Sequence, residues 1–146
     1  LGIFGRDQKM SEKQFSKYLK KILGDKVFYD RIECITKTGI PDVFYYIKPN
    51  GPPGVLELKF IESFPKKGGL ISLKHLTDEQ IFWMNTRGAI IKRAFVFLKI
   101  EETFNLIRWN HVHRFKKFPK HHLALYASMR WYKKINPEEL IKELSK

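Results

Sequence analysis

The stretch Gly39-Ile40-Pro41-Asp42-Val43-Phe44-Tyr45-Tyr46-Ile47-Lys48-Pro49-Asn50-Gly51-Pro52-Pro53-Gly54-Val55-Leu56-Glu57-Leu58-Lys59-Phe60 decides how this chain reads. Two β-prone runs, 42–48 and 55–60, flank a segment that holds an Asn-Gly pair and three prolines and fits only a loop. The pattern predicts a hairpin. Side chains alternate along a strand, so Glu57 and Lys59 share one face while Leu56, Leu58 and Phe60 point to the core. A turn centred on Asn50-Gly51 sets Asp42 opposite Lys59, with Glu57 as its diagonal neighbour. Two carboxylates and one ammonium then converge beside the sheet.

Such a cluster needs a physical reason. Carboxylates held close together repel and raise one another's pKa unless a cation joins them. A hard divalent metal is the natural cation, and Mg²⁺ prefers one or two carboxylates completed by water and substrate phosphate. Beside it, Lys59 has two roles open: to orient or deprotonate an attacking water, or to stabilise charge building on a phosphorane.

Outward from the hairpin, a helix is predicted over 11–23. Ser11 and Gln14 form a capping box, and Phe15, Tyr18, Leu19, Ile22 and Leu23 make one apolar stripe ended by Gly24. Residues 27–36 read as a strand and 37–39 as a turn. A basic, Gly-containing stretch covers 65–75. A second helix starts at Thr77, capped by Thr77 and Gln80 and closed by Gly88. Residues 94–100 form an almost wholly apolar run, predicted as a central strand covered on both faces, with 104–109 as its edge partner. Residues 121–134 and 137–145 read as helices, the latter with Asn136 as cap and Pro137 at its first position. The order gives an α/β fold, a mixed central sheet flanked by helices. It divides into an N-terminal extension (1–10), a core (11–109) and a C-terminal helical extension packed on the same domain (110–146).

Composition narrows the class. The 146 residues suit one domain, and 43% hydrophobic residues supply a packed core. Lys and Arg number 28 against 15 Asp and Glu, a net charge of +13, which points to a polyanionic partner, nucleic acid first. One cysteine, Cys34, excludes an internal disulfide and any Cys-pair zinc site. No apolar run approaches the roughly 20 residues of a membrane helix, and the first residues show no signal-peptide core. The expected location is cytoplasmic, with no membrane contact and no organic cofactor.

At Pro41-Asp42 and Glu57-Leu58-Lys59 the sequence resembles the PD-(D/E)XK nuclease superfamily. With Gly39-Ile40 before Pro41 and Leu76-Thr77-Asp78-Glu79-Gln80-Ile81-Phe82-Trp83 after the hairpin, it is similar to the VRR-NUC and Holliday junction resolvase branches over roughly residues 11–109. The resemblance implies a Mg²⁺- or Mn²⁺-dependent endodeoxyribonuclease, structure-selective on branched DNA and acting as a homodimer. It implies Asp42, Glu57, the Leu58 backbone carbonyl and a first-helix Glu, here Glu12, as metal ligands. Lys59 becomes the catalytic lysine and Gln80 an accessory residue. Other readings within reach are a different DNA-processing or repair nuclease of this superfamily, and a non-catalytic DNA-binding protein of the same fold.

Plainer roles compete for several residues. Gln80 suits a helix cap, and Glu12 suits the helix dipole. Glu33 is a rival third acid, otherwise paired with Arg31. The pairs His111/His113 and His121/His122 lack supporting ligands and read as ordinary loop and helix histidines. Phe82, Trp83 and Met84 read as core. Lys37, Lys66, Lys67, Lys74, Arg87 and Arg93 are the expected contacts to the DNA backbone. An apolar helix at 121–134, with Leu123, Leu125, Tyr126, Met129, Trp131 and Tyr132, serves equally as dimer surface or core.

Overall fold

The computed structural model describes residues 11–32 and 39–146. Helix α1 (Glu12–Leu23) starts where the sequence places its cap. The Ser11 hydroxyl accepts from the Gln14 N–H, and the Gln14 side chain accepts from the Ser11 N–H. Each bond satisfies a backbone donor that the helix start leaves open.

Among the described residues, six strands form one sheet in the order β1 (Val27–Arg31), β2 (Val43–Ile47), β3 (Pro53–Ile61), β5 (Ala94–Ile100), β6 (Thr103–Arg108), β8 (Met129–Tyr132). Strands β4 (Ile71–Ser72) and β7 (Lys117–Phe118) pair separately. Every neighbour in the large sheet is antiparallel except β3 and β5. A parallel pair needs a crossover. Residues 62–93 supply it, carrying β4, α2 (Asp78–Trp83), a π-helical turn (Met84–Gly88) and α3 (Ala89–Ile91).

Alternation along the central strands feeds two cores. Leu56, Leu58, Phe95 and Phe97 pack under α1 and the last helix, α5 (Pro137–Leu144), against Phe15, Leu19, Leu140 and Leu144. Val55, Val96 and Leu98 face the other way, onto Leu76, Trp83, Met84, Phe115 and Leu123. Burial on both faces accounts for the apolar run at 94–100. Tyr45 spans its layer and donates to the Leu144 carbonyl at 2.8 Å.

Four local expectations are corrected. The second helix does not close at Gly88. Gly88 keeps a helical φ of −58°, and a Cβ there would lie 3.1 Å from that of Trp109, so the glycine serves close packing. The helical segment leaves at Lys92, with φ 67°. Residues 121–134 are not one helix: α4 (His121–Tyr126) is followed by β8. Trp131 is buried beside Phe97 while Tyr132 is exposed, which is a period of two, and the Ser128 N–H joins the outer side of β6 at the Leu106 carbonyl. Open hydrogen-bonding groups on β6 thus capture a segment whose composition suits a helix. Consequently β6 is an interior strand, not an edge. Phe82, read as core, is 64% exposed, because Trp83 and Met84 occupy the inward side of that turn. Glu33, Cys34 and Lys37 lie outside the described residues.

Candidate active site

The β2–β3 ladder runs from Tyr46↔Pro53 to Val43↔Leu56 and then stops. One step further would oppose Asp42 to Glu57, not to Lys59 as a turn centred on Asn50-Gly51 predicts. The difference arises because β3 already begins at Pro53 and the Gly51 N–H closes the turn onto the Ile47 carbonyl at 2.6 Å. A two-residue shift leaves every side chain on its expected face, so Glu57 and Lys59 keep theirs.

Where the ladder stops, side chains replace backbone. Asp42 Oδ2 accepts from the Leu58 N–H at 3.0 Å, and the Asp42 carbonyl accepts from Ile32 N–H at 2.6 Å. The N–H and C=O of a strand residue leave on the same side, so the Leu58 carbonyl is directed toward this gap as well. Gly39, with φ 89°, leads the chain into Pro41-Asp42. A Cβ at Gly39 would sit 2.7 Å from the Glu79 carbonyl oxygen, so only glycine lets this segment lie against α2.

Three carboxylates from separate segments meet here. Ligand oxygens of Glu12, Asp42 and Glu57 all lie within 4.8 Å of one another. Glu12 reaches the gap from the first turn of α1, where Arg31 stands 4.0 Å away. Glu57 is 2% exposed and Lys59 5%. Lys59 Nζ donates to the His75 carbonyl at 2.6 Å and lies 3.4 Å from Glu57 Oε2. Glu57 Oε1 is buried with no hydrogen-bond partner.

The electrostatics follow from that crowding. Burial, then the hydrogen bond and the negative charge of Asp42, push the Glu57 carboxyl up to about 9 against the pull of Lys59. Burial and Asp42 also raise Glu12. A carboxyl so placed keeps its proton near neutrality unless a cation arrives. An orphaned buried oxygen amid three hard oxygen donors fits a divalent cation, and the cluster is compatible with one.

The Gln80 side-chain oxygen accepts from the Thr77 N–H, and the Gln80 backbone N–H donates to the Thr77 hydroxyl, so the side chain caps α2 and makes no hydrogen bond to a carboxylate of the cluster. Lys66, Lys67 and Lys74 are exposed on the segment before α2. Arg87 lines an open pocket with Asp78, Glu79, Phe82 and Trp83. Arg93 is half-buried and donates to the Pro53 carbonyl at 3.3 Å, at the first residue of β3, four residues before Glu57. His111 packs tilted against Tyr126 and His122 meets the same ring edge-on, and among the described residues no histidine joins a metal-type cluster. One participant carries no sequence signal: the His75 carbonyl that holds Lys59, a backbone atom brought in by the returning chain.

No family model matches the chain, and no curated protein does either. Among solved structures it is similar to the Holliday junction resolvase Hjc of the archaeal hyperthermophile Archaeoglobus fulgidus, at a TM-score of 0.51 and 18% identity, over 79% of this chain and 90% of that one. The likeness is one of architecture: the chain has a mixed α/β fold, with a six-strand central sheet flanked by helices, that matches a resolvase-type nuclease.

Proposed function

We propose that this protein is a divalent-metal-dependent endodeoxyribonuclease of the PD-(D/E)XK type that acts on branched DNA. The observation that carries the reading is the buried, unpartnered Glu57 Oε1 among the carboxylates of Glu12, Asp42 and Glu57, with Lys59 beside it. The resolvase-like fold supports it, as does a net charge of +13, which suits a phosphate backbone.

Asp42, Glu57, the Leu58 carbonyl and Glu12 would hold the ion, Mg²⁺ or Mn²⁺. When bound, it supplies Lewis acidity toward the scissile phosphate and an acidified water. The chain's own residues do the rest. Glu57 would release its proton to solvent in order to serve as a ligand. Asp42 stays fixed by the Leu58 N–H. Lys59 has three donors, of which the His75 carbonyl takes one, and its ammonium is ion-paired with Glu57 Oε2 at 3.4 Å. A remaining N–H would hold a phosphate oxygen and offset charge that grows during in-line attack. Lys66, Lys67 and Lys74 follow the strand backbone. Two symmetric nicks in a four-way junction need two sites, so the working form is a homodimer.

The test is incubation with four-way, flapped, linear duplex and single-stranded DNA in Mg²⁺, Mn²⁺ or EDTA. Metal-dependent cutting that favours the junction is expected. No cutting of any substrate would leave a DNA-binding protein of nuclease fold. Equal cutting of duplex and junction would defeat the structure-selective part alone.

A further inference from the structure

On strands β1 and β2 one face is buried under α1 and the other is not. Tyr29, Val43 and Tyr45 are core residues, while their alternates Phe28, Phe44 and Tyr46 are 56%, 40% and 42% exposed. Phe28 is directly opposite Tyr46, and Phe44 is two pairs further along on the same face, opposite Asp30. The aromatics therefore form one contiguous patch.

This patch shares its sheet face with the acid cluster. Phe44 pairs with Val55 and Tyr46 with Pro53, so they point as Val55, Glu57 and Lys59 do. Phe44 is two residues along the chain from Asp42. The second core covers this face over β3, β5 and β6 and does not include Phe28, Phe44 and Tyr46, which stay exposed on β1 and β2. Beside Phe28 the rim is basic: Lys48 Nζ lies 4.0 Å over its ring, and exposed Lys26 adjoins it through the Lys48 N–H to Lys26 carbonyl bond, while exposed Asp30 shares the face opposite Phe44.

We infer that Phe28, Phe44 and Tyr46 form a stacking platform for unpaired bases of a DNA strand, which they lead into the Glu12–Asp42–Glu57 cluster. The inference rests on the nuclease reading for its strand, and it adds a preference for substrates with single-stranded nucleotides beside the cut. Aromatic faces stacked by bases and flanked by cations are how single strands are held without sequence preference. A cation on a flexible stem above such a ring is suited to the phosphate of the stacked nucleotide. A second copy of the chain fits less well. Two five-residue strands at roughly 3.3 Å per residue and 4.8 Å apart present on the order of 160 Å², against about 800 Å² per partner in a stable dimer.

The test compares the intact protein with Phe28→Ser/Tyr46→Ser, binding fluorescent oligo-dT and a 20-bp duplex in EDTA, so that cutting does not enter. Oligo-dT affinity should fall about tenfold or more, with duplex affinity held within about twofold. Phe28→Tyr/Tyr46→Phe, which keeps the rings, should retain affinity, and Phe82→Ser, an exposed aromatic elsewhere, should change nothing. If the double variant does not fold, Phe44→Ser carries the same comparison. Unchanged oligo-dT affinity would overturn the inference, as would an equal loss on both DNAs, or conversion of a dimer to a monomer in sedimentation. A parallel arm in Mg²⁺ separates the two readings. Patch-dependent binding without cutting would defeat the nuclease, and cutting with a neutral patch would defeat the platform.

Discussion

Asp42 accepts a hydrogen bond from the Leu58 N–H at 3.0 Å, at the point where the β2–β3 ladder ends after Val43↔Leu56. One carboxylate thus completes the sheet with one oxygen and faces Glu57 and Glu12 from the same position. Structure and chemistry can be separated there. Asp42→Asn keeps an oxygen for Leu58 and removes the charge. Its unfolding temperature in EDTA should match or exceed that of the parent, while metal-dependent cutting drops by about a thousandfold. Asp42→Ala also strands the Leu58 N–H and should cost about 1–3 kcal/mol more in denaturant unfolding.

Glu57 makes stability depend on pH. Its folded-state value, about 9, lies above the ordinary carboxyl value of 4.5, so between these the folded chain binds more protons than the unfolded one. The contribution is fully present below about 4.5 and is lost as pH rises through about 9. Denaturant midpoints in EDTA at pH 5, 7 and 9 should therefore fall, and Glu57→Gln should flatten the decline. Apparent Mg²⁺ affinity should rise over the same window, because binding expels the proton.

Lys59 is held by Glu57 and the His75 carbonyl, so its removal should act on turnover more than on binding. Lys59→Met should lower kcat about a hundredfold or more, with DNA affinity in EDTA within about twofold of the parent. A proportional loss of DNA affinity would mean that Lys59 serves as a backbone contact.

The capping box ties Glu12 to the site through the geometry of α1. Ser11→Ala should cost about 1 kcal/mol of stability by the loss of the cap. It should also weaken Mn²⁺ binding, measured by calorimetry, since Glu12 follows the cap directly. Glu12→Gln should weaken Mn²⁺ binding without the stability loss.

Gly54 tests the packing behind the site. A Cβ there would lie 2.1 Å from the Tyr45 ring, and that ring is anchored at Leu144. Gly54→Ala should destabilise by about 1–3 kcal/mol in thermal unfolding. Gly68→Ala meets no atom within 4 Å and pays only for its φ of 69°, about 1 kcal/mol or less.

The hairpin, the doubly covered strand at 94–100 and both capping boxes were legible because each depends on local chemistry: turn residues, alternation, a polar side chain three residues from its partner. The meeting of Asp42, Glu57 and Lys59 was legible for the same reason, since alternation survives a two-residue change of register. What escaped depends on distant partners. Residues 129–132 become a strand because β6 offers open hydrogen-bonding groups, and no local pattern records that. Gly88 looks like a helix stop until Trp109 arrives beside it. Gln80 was legible as a cap from its spacing to Thr77, and the cap is what occupies it. The hold of His75 on Lys59 is a backbone contact and leaves no trace in residue type.

Glu12, Asp42 and Glu57 are the proposed ligands of a divalent ion, and anomalous scattering from a Mn²⁺-soaked crystal would locate that ion. A peak is expected among the carboxylate oxygens of these three residues, lost in Asp42→Asn. No peak there in the unsubstituted protein at saturating Mn²⁺, or a peak only at the histidines around Tyr126, would contradict that assignment.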